Sequence, residues 1–92
     1  MRQGEDIMHQ NEMKLEFDSR SCNEGFARVS VAAFMTQLNP TLEEVADVKT
    51  AVSEAVTNAI IHGYEGKINK IQIRCQIRDS VLFVEVEDYG KG

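Results

Sequence analysis

The run KIQIRCQIRDSVLFVEVE, from Lys70 to Glu87, constrains this chain more than any other stretch. Ile71, Ile73, Cys75 and Ile77 alternate with Gln72, Arg74, Gln76 and Arg78, which is the period of a strand with one apolar and one polar face. Asp79-Ser80 is room for a tight turn only, and Val81 to Glu87 supplies a second strand. Strands joined so closely are antiparallel neighbours. Their apolar face needs a second layer to cover it.

The rest of the chain offers that layer. Met13, Leu15 and Phe17 alternate with Lys14, Glu16 and Asp18, which predicts a first strand. Ser21-x-x-Glu24 has the form of a capping box and opens a helix through about Leu38, with Phe26, Val29, Ala33 and Phe34 among its apolar positions. Asn39-Pro40 ends it, because a residue before proline is pushed away from the α region. Thr41-x-x-Glu44 is a second capping box. From it Val45, Val48, Val52, Ala55 and Ala59 form the stripe of a long amphipathic helix to about His62, where Gly63 is a natural stop. The order β-α-α-β-β predicts an α+β two-layer sandwich, with helices on one face of a mostly antiparallel sheet. Residues 1–11 are polar and aperiodic and read as a leader or poorly ordered segment, leaving 12–92 as the domain.

Composition narrows the function classes. A formal net charge of −5 argues against non-specific nucleic-acid binding, which needs a basic surface. No apolar run approaches the roughly 20 residues that span a bilayer, and the N-terminus lacks the apolar region of a secretory signal, so a cytoplasmic protein is the expectation. Cys22 and Cys75 have no second ligand at metal-site spacing, and two reduced cysteines are expected.

Two polar features stand out. Glu54 and Asn58, four residues apart, lie about 40° apart around the long helix, at the border of its apolar stripe. They read either as boundary residues in a local hydrogen bond or as a carboxylate able to accept a proton beside a hard oxygen ligand suited to Mg²⁺. In the last strand Asp88 continues the parity of Leu82, Val84 and Val86, the row that should face the helices. Gly90 and Gly92 follow in a D-x-G-x-G pattern. That pattern is either a strand end with a turn, or the rim of an apolar pocket whose carboxylate meets a ligand N–H such as an adenine amino group.

A helical E-x-x-x-N, a hairpin and then D-x-G-x-G together resemble the N box and first glycine box of the GHKL ATPases, the family of gyrase, histidine kinases and MutL. Within it, the runs NEMKLEF, FARVSVAAFMTQLNPT and VSEAVTNAIIHGY are similar to the bacterial anti-sigma serine kinases, over essentially Asn11 to Gly92. The resemblance implies the histidine-kinase-like (Bergerat) ATPase fold, here incomplete. It implies ATP and Mg²⁺ as cofactors, Glu54 as general base, Asn58 as Mg²⁺ ligand, Asp88 on the adenine amino group, and Gly90 and Gly92 shaping the adenine pocket. It also implies two partners, a sporulation sigma factor of the sigma F type and an anti-anti-sigma factor phosphorylated on serine, together with a homodimer. Nucleic acid and membrane are not implied as partners. His62, one turn past Asn58, is either a phosphate neighbour or a cationic helix cap. Arg28 is either a partner-docking residue or a solvated arginine. The alternatives are another ATPase of the family, or a sigma-binding module without catalysis.

The ATP lid and second glycine-rich box of that family lie beyond the D-x-G-x-G run, so few backbone donors for a triphosphate are available. These 92 residues are therefore expected to bind ATP weakly or not at all and to lack kinase activity. Calorimetric titration of the 92-residue chain with Mg-ATP should show no micromolar binding; a micromolar isotherm contradicts the expectation.

Overall fold

The computed structural model describes residues 10–62 and 67–88. Its elements are β1 (Gln10–Asp18), α1 (Asn23–Met35), a single 3₁₀ turn (Thr36–Leu38), α2 (Leu42–His62), β2 (Lys70–Arg78) and β3 (Val81–Asp88). The sheet order is β1-β2-β3 and both pairings are antiparallel. The α+β architecture is therefore as expected, with both helices on one face of the sheet.

The hairpin closes through Asp79 and Ser80, both with positive φ, 52° and 67°. Two left-handed residues in a row give the turn the twist that antiparallel strands need. Aspartate tolerates that region; serine does so less readily, and pairing of Arg78 with Val81 holds it there.

Every second residue of β2 is sealed. Ile71, Ile73, Cys75 and Ile77 are fully buried between the neighbouring strands and the helices above. Met13, Leu15 and Phe17 from β1 and Leu82, Val84 and Val86 from β3 flank them on the same face. Ala27 and Val31 of α1 and Val52 and Val56 of α2 close the core from the other side. Each such isoleucine contributes about 1.5–3 kcal/mol relative to exposure. The outer face of the sheet is polar, with Arg74 paired to Glu12 at 2.7 Å and to Glu85 at 3.7 Å, and Arg78 stacked over the Phe83 ring.

The two capping boxes differ in outcome. At Thr41 the box forms: its backbone N–H donates to Glu44 Oε1 at 2.8 Å, and its hydroxyl accepts the Glu44 N–H at 3.0 Å. At Ser21 it does not. Cys22 takes the N-cap position without a side-chain bond, and the Glu24 N–H goes to the Ser21 carbonyl. Asn23 instead anchors the helix start, donating to the Asp18 carbonyl at 2.9 Å. The Glu24 carboxylate is thereby released for another use. At the other end Asn39 leaves the helix in the left-handed region (φ 53°) rather than in an extended conformation, a conformation asparagine accepts.

Two apolar stripes also need correction. On α1 the core side is Ala27, Val31 and Met35, with the expected Phe34 packed against it, whereas Phe26 and Val29 remain 53% and 57% exposed and Ala33 is exposed as well. Both sets recur at helical spacing, so periodicity alone could not choose between them. On α2 Val48, Val52 and Ala59 of the expected stripe do pack into the core, but Val56 is buried among them with Ile60 beside it, and Ala55 is only half-buried. No helix among the described residues is long and apolar enough to cross a membrane.

Both cysteines are free, Cys22 exposed and Cys75 buried. Burial pushes the Cys75 thiol up to about 11, because a thiolate there would be stripped of water. The folded protein thus keeps a proton that the unfolded chain, with its thiol near 9.0, surrenders. The Cys75 contribution is constant below pH 9, and stability falls by about 1.4 kcal/mol per pH unit between 9 and 11. Urea titrations at pH 8 and 10 should show this loss in the wild type and not in Cys75→Val. A thiol reagent should label Cys22 at once and Cys75 only on unfolding.

Candidate functional site

One end of the layer gathers five element ends. Asp18 closes β1 opposite Lys70, which opens β2, and the two side chains pair at 2.8 Å. The Lys70 ammonium holds the Asp18 carboxyl below its usual range, first by the hydrogen bond and then by charge. Next to this clamp the Ser19 N–H donates to the Asn69 carbonyl and the Asn69 N–H to the Ser19 hydroxyl, at 2.7 and 2.8 Å. Ile60 of α2 meets Ser19, Arg20 and Ser21 across a shallow crevice that Lys67 and Ile68 complete. The C-terminal part of α2 and the start of α1 are therefore fixed at this end.

Asp88 reaches it from β3. It pairs with Ile71, which pairs in turn with Phe17, so the carboxylate ends a row whose other members are buried. It is half-buried, on the face toward the helices, as its parity predicts. Gly90 and Gly92 lie outside the described residues. His62 ends α2, and its side chain lies outside them too.

Glu54 and Asn58 are both exposed rather than at the border of the apolar stripe. The reason is the position of that stripe. Glu54 is two residues from both Val52 and Val56, about 200° around the helix from each, and Asn58 is equally far from Val56. Carboxylate and amide thus share the outward side of α2, one turn apart. Asn58 lies on the half of the helix that runs toward the end where Asp88 stands.

Glu54 also lines an open groove of about 610 Å³ between the two helices. Glu24 and Arg28 of α1 form one wall, and Ala46, Lys49, Thr50 and Ser53 of α2 form the other. Arg28 Nε donates to Glu24 Oε2 at 3.1 Å, with the guanidinium side chain half-buried. Glu24 is held below its usual range chiefly by the Ser53 hydroxyl and then by Arg28, against the opposing pull of desolvation. Arg28, a sequence candidate, therefore shares a groove with Glu54, whereas Asp88 does not line it. Lys49, Thr50 and Ser53 were not singled out from the sequence. Their signal was the recurrence of polar residues at helical spacing beside Glu54, legible only once α1 is known to pack on that side.

Among the described residues no three His, Cys, Asp or Glu side chains converge as a metal cage would require. Asn58 offers one hard oxygen on an open surface. That donor set suits Mg²⁺, which takes few protein ligands and keeps phosphate oxygens and water for the rest.

Residues 18–92 match the histidine kinase-like ATPase domain, and the chain belongs to that family. Within it the chain is similar to anti-sigma F factors. It is 61% identical over 85 residues to that of Clostridium kluyveri, covering 92% of this chain and 60% of the relative. It is 59% identical over 86 residues to that of Clostridium botulinum, covering 92% and 60%. The Caldanaerobacter subterraneus protein of the same name is 61% identical over 84 residues, covering 91% and 59%. The chain thus spans about 60% of the length of the curated relatives it matches.

Because Glu54 and Asn58 are exposed and outside the core, they contribute little to folding. Glu54→Ala and Asn58→Ala should each leave stability within about 0.5 kcal/mol of wild type. Thermal melts of the two variants measure this; a loss of several kcal/mol makes the pair structural.

Proposed function

We propose that the full-length protein is an anti-sigma factor and an ATP-dependent protein-serine kinase. In this reading it sequesters a sporulation sigma factor of the sigma F type and phosphorylates an anti-anti-sigma partner on serine. The carrying observation is the outward pair Glu54 and Asn58 on α2, pointed away from the core, with Asp88 ending the inward row of β3. Membership in the ATPase domain family and likeness to anti-sigma F factors over the same residues support it.

In the proposed reaction Glu54 takes the proton of the attacking serine hydroxyl. The serine oxygen bonds to the γ-phosphorus as the bond to the β–γ bridging oxygen breaks, and ADP leaves. An exposed carboxylate is open to a partner hydroxyl and serves as base once partner and nucleotide close over it. Asn58 would supply one oxygen ligand to a Mg²⁺ ion, whose charge would neutralise the phosphates when bound. Asp88 accepts from the adenine amino group, and Gly90 and Gly92 let the base approach the backbone. His62, one turn past Asn58 in the sequence, is assigned to the phosphates as the family resemblance implies. Positioning dominates such chemistry, because phosphoryl transfer asks for little covalent help from the protein. Arg28 on α1 contacts the partner, and the protein acts as a homodimer in the cytoplasm.

Substituting Glu54 separates catalysis from binding. Full-length Glu54→Ala, incubated with ATP, Mg²⁺ and a purified anti-anti-sigma factor, should lose at least about a hundredfold in phosphorylation rate, within the usual reach of general-base catalysis. It should still bind the sigma factor. Undiminished phosphorylation removes Glu54 from the role; absence of phosphorylation by the wild type itself leaves a sigma-binding module without catalysis.

A further inference from the structure

Arg28, Lys49 and Arg74 are the half-buried cations among the described residues. Arg28 has the Glu24 carboxylate at 3.1 Å and Arg74 has that of Glu12 at 2.7 Å. Lys49 makes no ion pair among the described residues, although the chain carries 15 acidic side chains against 10 basic ones. Its neighbours one turn away on α2 explain this, since Val45, Ala46, Val52 and Ser53 bear no charge. Across the groove Glu24 is already engaged by Arg28. Glu54 lines the same groove, but it stands about 140° around α2 from Lys49 and about 7.5 Å along it.

An ammonium in an open groove costs nothing while water surrounds it, with its stem laid over apolar surface. That changes when a protein closes over Glu54. Glu54 and Lys49 line one groove, so a partner that brings a serine hydroxyl to the carboxylate also covers the ammonium. A lysine stripped of water and left unpaired is strongly unfavourable. A docked partner must therefore supply an acceptor, and a partner that lacks one is rejected.

We propose that Lys49 is a recognition residue for the phosphorylated partner: its ammonium pairs with a carboxylate that the anti-anti-sigma factor presents beside its acceptor serine. The groove then reads its substrate by charge at Lys49 while Glu54 serves the hydroxyl. This inference rests on the reading of Glu54 as base for that serine.

The test uses the full-length protein with ATP, Mg²⁺ and a purified anti-anti-sigma factor. Lys49→Met removes the charge and keeps a flexible apolar stem. It should raise KM for the partner about tenfold, between the small worth of an exposed ion pair and the larger loss from a desolvated one. Both kcat and KM for ATP should stay within about twofold of wild type, because the pair is made equally in ground and transition states. Lys49→Arg, which keeps the charge, should retain most of the affinity. Among single Asp→Ala and Glu→Ala variants of the partner, one should show the same loss and add nothing to that of Lys49→Met. Sigma binding should not change. An unmoved partner KM overturns the proposal, and so does a loss confined to ATP or to the sigma factor. Absence of phosphorylation by the wild type overturns instead the reading of Glu54. Calorimetric titration of the anti-anti-sigma factor onto wild type and Lys49→Met then decides the docking role by itself, and equal affinities overturn it.

Discussion

The structure depends on the burial of one strand. β2 lies between β1 and β3 and under both helices, and its four inward side chains, Ile71, Ile73, Cys75 and Ile77, are shut off from water. A one-residue slip would exchange them for Gln72, Arg74, Gln76 and Arg78 and place two guanidinium groups in the core. The register is therefore held by a cost far larger than any single hydrogen bond. With the register set, Asp88 must fall opposite Ile71 at the helix-facing end of β3. The position of a candidate ligand-binding carboxylate is thus a consequence of where four apolar residues sit on the neighbouring strand.

The strands were legible because their period is two and their two faces differ sharply in polarity. Nothing competes with Ile71, Ile73, Cys75 and Ile77 for the inward row. Helix α1 was harder because apolar residues occupy both of its sides. Phe26 and Val29 recur at helical spacing as convincingly as Ala27, Val31 and Met35, and only contact with the sheet shows which set is buried. On α2 the expected Val48, Val52 and Ala59 do pack into the core, but Val56 and Ile60 join them, and Glu54 and Asn58 fall outside rather than at the border. The box at Thr41 could be read locally because its partners are three residues apart. Its counterpart at Ser21 failed through a tertiary contact, since Asn23 reaches back to the end of β1 and Glu24 is drawn toward α2.

The candidate site divides in the same way. Pairs within one helix, Glu54 with Asn58 and Glu24 with Arg28, follow from spacing. The groove that Glu24 shares with Ser53 joins residues on different helices, and no periodicity announces it. Family resemblance supplied roles for Glu54, Asn58 and Asp88, whereas the polar wall of Lys49, Thr50 and Ser53 emerged only when α1 and α2 were seen to face each other.

Helix α2 has room for these assignments because its circumference offers about 100° per residue. Val52 and Val56 face the sheet and fix the helix in rotation. Ala46, Lys49, Thr50 and Ser53 turn toward α1, and Glu54 and Asn58 turn outward. Buried valines set the angle of the other two faces, because a rotation that improved either would pull the apolar stripe from the core.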